Sequence, residues 1–151
     1  RALDPEAVRE AAAEVTCPGR MEIVERDPLL MVDGAHNPPG IVSLGAALEE
    51  EFTSQRWEIV FGAMADKSVG EMLETLAPRA AGFTMVAADS ERAMAPGEIA
   101  ALAAEAAPGV PVRIGGAVDA GLEAARATGE PVLVTGSIYV VGEARLALGL
   151  A

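Results

Sequence analysis

The chain has 151 residues, 51% of them apolar, enough for one domain with a real core, so a disordered tail is excluded. Eleven basic residues against 23 acidic ones leave a formal charge of −12, a surface that repels phosphate backbones and anionic membranes and makes nucleic acid and membrane poor partners. The single cysteine, Cys17, cannot form an internal disulfide, and no run approaches the ~20 apolar residues of a membrane span or the core of a signal peptide, so a cytoplasmic setting is expected.

Opening at Arg1 without a methionine, the chain reads as a domain separated from a longer polypeptide. Asp4 and Pro5 supply a cap and a first helical residue for a helix over 6–15, which Cys17-Pro18-Gly19 stops. Residues 20–26 alternate polar and apolar, Asp27-Pro28 turns the chain, and the apolar run over 29–32 forms the buried arm of a hairpin. From there one unit repeats: apolar strand, small-residue turn, amphipathic helix. The strands fall at 58–61, 83–87, 112–114 and 132–134, and the helices at 38–52, 69–76, 96–106, 117–127 and 138–148. In the first of these helices Ile41, Leu44, Leu48 and Phe52 share a face that Glu49, Glu50 and Glu51 avoid. Strands alternating with helices of this length imply right-handed crossovers. The expected fold is therefore α/β, a Rossmann-like doubly wound six-stranded sheet, mainly parallel with one antiparallel edge strand, forming one domain over 1–151.

Ligands of such a sheet bind beyond the carboxyl ends of its strands. The segments expected there are Asp33-Gly34-Ala35-His36-Asn37-Pro38, Gly62 to Ser68, Asp89-Ser90-Glu91-Arg92, Gly115-Gly116 and Thr135-Gly136-Ser137. Asn37 and Pro38 suit a helix start, whose free amides and dipole would favour an anion. Asp33 at a strand end is an acceptor for ribose hydroxyls or for turn amides, and His36 can bond to a carboxylate or phosphate oxygen. Ser137 serves a helix cap as well as it would serve catalysis. Tyr139 is expected to pack at its helix start, Trp57 in the core or an interface, and Cys17 carries no sign of reactivity. Arg9, Arg56, Arg79, Arg113 and Arg126, on helix faces or strand entries, are expected to be solvated. Asp33 is expected to be an exposed carboxylate with few core contacts.

The hexapeptide Asp33 to Pro38 resembles the signature of the C-terminal domain of folylpolyglutamate synthase and dihydrofolate synthase, in the Mur ligase superfamily. Pro18-Gly19-Arg20-Met21-Glu22, the Asp66-Lys67-Ser68 loop, Arg92-Ala93 and the stretch Thr135 to Arg145 resemble that family in the same order, so the resemblance covers nearly the whole chain. It implies an ATP-dependent amide ligase joining L-glutamate to dihydropteroate or a folate through an acyl phosphate. It places Arg20 and Asp33 against ATP, the arginine towards phosphate and the aspartate towards ribose, with His36 and Ser137 near the incoming glutamate and the reacting centre. Lys67 and Arg92, as scarce cations on crevice loops, join the binding set, as does Asn37 at the helix start.

The sequence holds neither G-x-x-x-x-G-K-[ST] nor G-x-G-x-x-G, and no cluster of metal-ligating residues. The resemblance places the P-loop and the Mg2+ ligands in a preceding central domain, which becomes an expected partner and leaves this chain inactive alone. Two other readings stay open: a domain of another Mur-type ligase acting on peptidoglycan precursors, and a non-catalytic small-molecule binding module.

Overall fold

The computed structural model describes residues 17–150, and the helix expected over 6–15 lies outside them. The alternation that begins at Arg20 becomes strand β1 (Glu22–Arg26), which turns through Asp27-Pro28 into the apolar β2 (Leu29–Val32). These two pair antiparallel, Glu22 opposite Val32 and Arg26 opposite Leu29, with an irregularity between Ile23 and Glu25.

After β2 the strand, turn and helix units follow in order: α1 (Pro38–Glu51), β3 (Trp57–Phe61), α2 (Val69–Leu76), β4 (Ala80–Ala87), α3 (Pro96–Ala106), β5 (Val112–Ala117), α4 (Val118–Arg126), β6 (Val132–Thr135) and α5 (Ile138–Ala147). The sheet order is β1-β2-β6-β3-β4-β5, with every pairing parallel except β1 with β2. This is the doubly wound sheet with one antiparallel edge strand that the strand and helix alternation predicts.

The period-2 alternation of the strands divides the core between two faces. Met31, Ile59, Phe61, Phe83, Met85 and Leu133 pack beneath α1, α2 and α3, which contribute Ile41, Leu44, Leu48, Met72, Leu73, Leu76 and Ile99. The opposite face buries Leu30, Val32, Val60, Val86, Val132 and Val134 under Val118 and Leu122 of α4 and Val140, Val141 and Ala144 of α5. Each such side chain stabilises the fold by about 1.5 to 3 kcal/mol through removal from water. Trp57 is fully buried and meets Phe52 edge to face at 5.5 Å between ring centroids.

Two strands run longer than their apolar cores suggest. β4 begins at Ala80, which pairs with Trp57, three residues before Phe83. β5 continues through Gly115-Gly116 to Ala117, so these glycines belong to the edge strand and not to a crevice loop. The size of Gly115 serves packing: a Cβ there would lie 2.6 Å from the Cα of Gly121, where α4 crosses the strand.

Several charges expected in solvent are paired. Glu58 is only 2% exposed in the middle of the sheet. It accepts a hydrogen bond from Thr84 Oγ1 at 2.8 Å and faces Arg113 Nε at 3.7 Å. The β3 position of Glu58 points to the α4 and α5 face, and Gly82 on β4 leaves room for its carboxylate. Arg79 pairs with Glu49, and Arg126 with Glu25 at 2.9 Å. Three of the arginines read as solvated therefore tie elements together, while Arg56 is exposed and Arg9 lies outside the described residues.

Candidate functional site

Neighbouring strands β2 and β6 send their chains to opposite faces of the sheet, β2 into α1 and β6 into α5. A parallel sheet opens a crevice where the winding reverses in this way. Backbone bonds draw the loops together there: Asp33 N–H donates to Val134 O at 2.9 Å, Gly136 N–H to Ala35 O at 3.0 Å and Gly62 N–H to Thr135 O at 3.4 Å. Gly136 has φ +106 and lies against the Gly62 carbonyl and the Phe61 ring, an approach that only glycine permits.

The cleft at this point has a volume of about 710 Å3 and is lined by Arg20, Asp33, Gly34, His36, Asn37 and Ile138 among others. Arg20 sits exposed on a turn closed by its own N–H on Cys17 O at 3.1 Å. Its loop is laced to the β2 terminus. Gly34 N–H donates to Gly19 O at 2.7 Å, and Met21 N–H donates to Asp33 Oδ2 at 3.0 Å.

Asp33 is 7% exposed, contrary to the expectation of a solvated strand-end carboxylate. Its Oδ1 accepts from Ala35 N–H at 2.9 Å while Oδ2 takes Met21, so both oxygens organise turn amides. Each keeps a second lone pair for another donor. His36 is exposed, with Nδ1 3.0 Å from the Gly34 carbonyl. A carbonyl only accepts, so this contact fixes the tautomer with hydrogen on Nδ1 and leaves Nε2 as an acceptor facing outward.

Asn37 caps α1 through Oδ1, which accepts from Gly40 N–H at 2.9 Å. This corrects the expectation of free amides at the α1 N-terminus. Pro38 and Pro39 have no N–H, Gly40 is taken by the cap, and Ile41 N–H donates to Asn37 O at 3.0 Å. The second proline was visible in the sequence and was the signal for this. An anion at this helix end meets the dipole but no unclaimed first-turn amide.

Lys67, Arg92 and Ser137 stand at the same carboxyl end of the sheet but do not line that cleft. A single antiparallel bridge between Met64 and Ala93 joins the loops after β3 and β4, with Ala65 N–H on Arg92 O at 2.8 Å and Met94 N–H on Ala63 O at 2.9 Å. Lys67 Nζ is 3.9 Å from Asp66. Arg92 Nη2 donates to Tyr139 Oη at 3.4 Å, its guanidinium 6.0 Å from the ring centre. Tyr139 is 48% exposed and is not packed at its helix start. Ser137 is 2% exposed and caps α5, its Oγ accepting from Tyr139 N–H at 3.1 Å.

Sequence reasoning missed a further pair. Glu22 Oε1 accepts from Gly19 N–H at 3.0 Å and from Arg145 Nη1, joining the Arg20 loop to the last turn of α5. Burial alone would raise the Glu22 pKa, but the hydrogen bonds from Arg145 and Gly19 and the arginine's charge outweigh it and hold the carboxyl below its ordinary value. Partners 123 residues apart leave no local pattern.

A second groove of similar size, about 730 Å3, lies between α3, α4 and α5. Asp89, Asp119 and Glu143 rim it without a basic residue, which suits an anionic substrate poorly. Among the described residues no group of three His, Cys, Asp or Glu side chains is arranged to hold a metal ion, and no helix is long and apolar enough to cross a membrane.

Residues 19–138 match the family model of the Mur ligase, glutamate ligase domain. The chain belongs to this family. It is similar to a probable bifunctional folylpolyglutamate synthase/dihydropteroate synthase of Haloferax volcanii, 40% identical over 95% of the chain and 17% of that protein. Among solved structures it resembles Mycobacterium tuberculosis folylpolyglutamate synthase complexed with ADP and AMPPCP, at TM-score 0.86 and 30% identity over 99% of this chain and 36% of that one. It also resembles the bifunctional folylpolyglutamate synthase/dihydrofolate synthase of Yersinia pestis complexed with AMPPNP and Mn, at TM-score 0.81 and 27% identity over the same shares. This Mur ligase domain thus spans from about a sixth to about a third of the length of the relatives it matches.

Proposed function

We propose that the chain is the nucleotide- and glutamate-facing domain of an ATP-dependent ligase that adds L-glutamate to dihydropteroate or a folate. The observation that carries this reading is the switch-point cleft, where Arg20, Asp33 and His36 meet on loops laced by backbone hydrogen bonds. Relatives matched over 95% of the chain are of the folate type, which favours this substrate over peptidoglycan precursors and over a non-catalytic binding module.

ATP carries several negative charges into a domain of charge −12, so local cations have to overcome the general field. Arg20, exposed on its turn, binds phosphate oxygens with its fork of donors. Asp33 orients the ribose with its remaining lone pairs while keeping the turn in place. His36, with Nε2 free to accept or to take up a proton, serves the glutamate or the reacting centre. Lys67 and Arg92 supply positive charge for carboxylates at the neighbouring loops, and Ser137 fixes the start of α5 beside them.

The nucleotide fits this donor set; a divalent ion does not, because the described residues offer it no cluster of ligands. The family resemblance assigns Mg2+ and the phosphate cradle to a central domain expected to close over the nucleotide from the other side. Cleft closure around ATP then excludes water from the activated carboxyl before the glutamate amine attacks it.

In the full-length polypeptide, Arg20→Ala should raise the KM for ATP by one to two orders of magnitude, the equivalent of losing a charged hydrogen bond of about 1.5 to 3 kcal/mol. Steady-state ligation at varied ATP measures this. Unchanged ATP dependence would remove Arg20 from the site and the nucleotide reading with it.

A further inference from the structure

We propose that Glu22 and Arg145 form a clamp that positions Arg20 for the nucleotide, acting through the loop and not by touching the ligand. The proposal rests on the reading of the cleft as a nucleotide site. Arg20 is exposed and its guanidinium carries no ion pair among the described residues, so something other than its own side chain must fix where it stands.

The backbone of its loop is the part that is fixed. Glu22 Oε1 draws in Gly19 N–H, Gly19 O receives Gly34 N–H, and Met21 N–H reaches Asp33 Oδ2. These bonds bracket Arg20 on both sides and hold Gly19 at φ +75 and Met21 at φ +41. A methionine in the left-handed region is uncommon, and such a conformation persists only where its surroundings impose it. Glu22 would be free to leave if it faced only Gly19. Arg145 prevents that, with side chains 15% and 19% exposed for the arginine and the glutamate. Because Arg145 lies in the last turn of α5 and Ser137 caps the first, one helix links the Arg20 loop to Tyr139 and Arg92.

In the full-length ligase, Arg145→Met should raise the KM for ATP on the order of tenfold with a much smaller change in kcat, since a displaced loop costs binding geometry. Arg145→Lys, which keeps the charge at the end of the helix, should restore most of the ATP affinity. A purely structural pair would lower the melting temperature and the active fraction while leaving KM untouched. Wild-type KM in Arg145→Met, in a protein where Arg20→Ala does raise it, overturns the clamp alone. Wild-type KM in Arg20→Ala overturns the nucleotide reading and the clamp together. Should Arg145→Met fail to fold, Glu22→Met supplies the same measurement, because it removes the oxygen that accepts from both Gly19 and Arg145; an unchanged KM there also overturns the clamp.

Discussion

Asp33 is a structural support at the position proposed to hold the ribose. Its two carboxylate oxygens hold the amides of Met21 and Ala35, and it is nearly buried, so its removal strands two backbone donors besides any effect on the proposed ribose contact. Unsatisfied buried donors cost about 1 to 3 kcal/mol each. Asp33→Ala should therefore lower the unfolding free energy of the chain measurably in urea, whereas Asp33→Asn, which keeps one acceptor, should lower it less. Equal midpoints for wild type and Asp33→Ala would show that these bonds contribute nothing. Asp33, His36 and Asn37 were legible as site candidates because they follow β2 and open the next helix, whereas Arg20, which precedes β1, came from the family resemblance. What was not legible was the sharing of Asp33 between two loops, since Met21 precedes it by 12 positions across a hairpin. The Asn37 cap was legible in kind, and Pro39 shows why no amide is left over for an anion.

At the scale of elements, helix α5 is tied at both ends, by Ser137 at its cap and by Arg145 on Glu22 of β1. The second tie depends on pH. Glu22 has a folded-state pKa below its ordinary unfolded value, so its contribution is complete above the unfolded value and is lost as the pH falls through the folded one. Arg145→Met should be less stable than wild type at neutral pH, and the gap should close on acidification below the ordinary carboxylate range. Denaturant midpoints across that range test this; a gap that stays constant would mean the pair's contribution does not involve the ionised carboxylate. Periodicity located all the described helices to within a residue or two because their buried stripes are clear, as in Ile41, Leu44 and Leu48 of α1. It missed the first residues of β4 and the last of β5, where Gly82 and Gly115 are small for close packing and Gly116 takes φ +79, and none of the three carries a hydrophobic signal. Arg113 was misplaced for the opposite reason: a charge in a strand reads as solvent-facing, yet it meets the buried Glu58 of β3 across β4.

For the molecule as a whole, the doubly wound topology puts the crevice between β2 and β6 and gathers most of the predicted site there, but it makes a single wall. The domain carries a charge of −12, its proposed phosphate cations are few, and the described residues form no metal-holding group. Transfer of a phosphoryl group needs positive charge around the transferred group and the leaving oxygen, usually with Mg2+ between phosphates. On the proposed reading, one wall with Arg20 at its rim recognises a nucleotide without being able to stabilise that transition state. The 151-residue chain, supplied with ATP, Mg2+, glutamate and dihydropteroate, should consequently release no ADP above background, while a polypeptide in which it is joined to a P-loop domain should. Measurable ligation by the chain alone would show that the remaining positive charge comes from within these residues, with Lys67 and Arg92 the first side chains to test by substitution. Their loops are joined by the Met64 and Ala93 bridge and braced against Tyr139, so they are the other fixed cations at this end of the sheet.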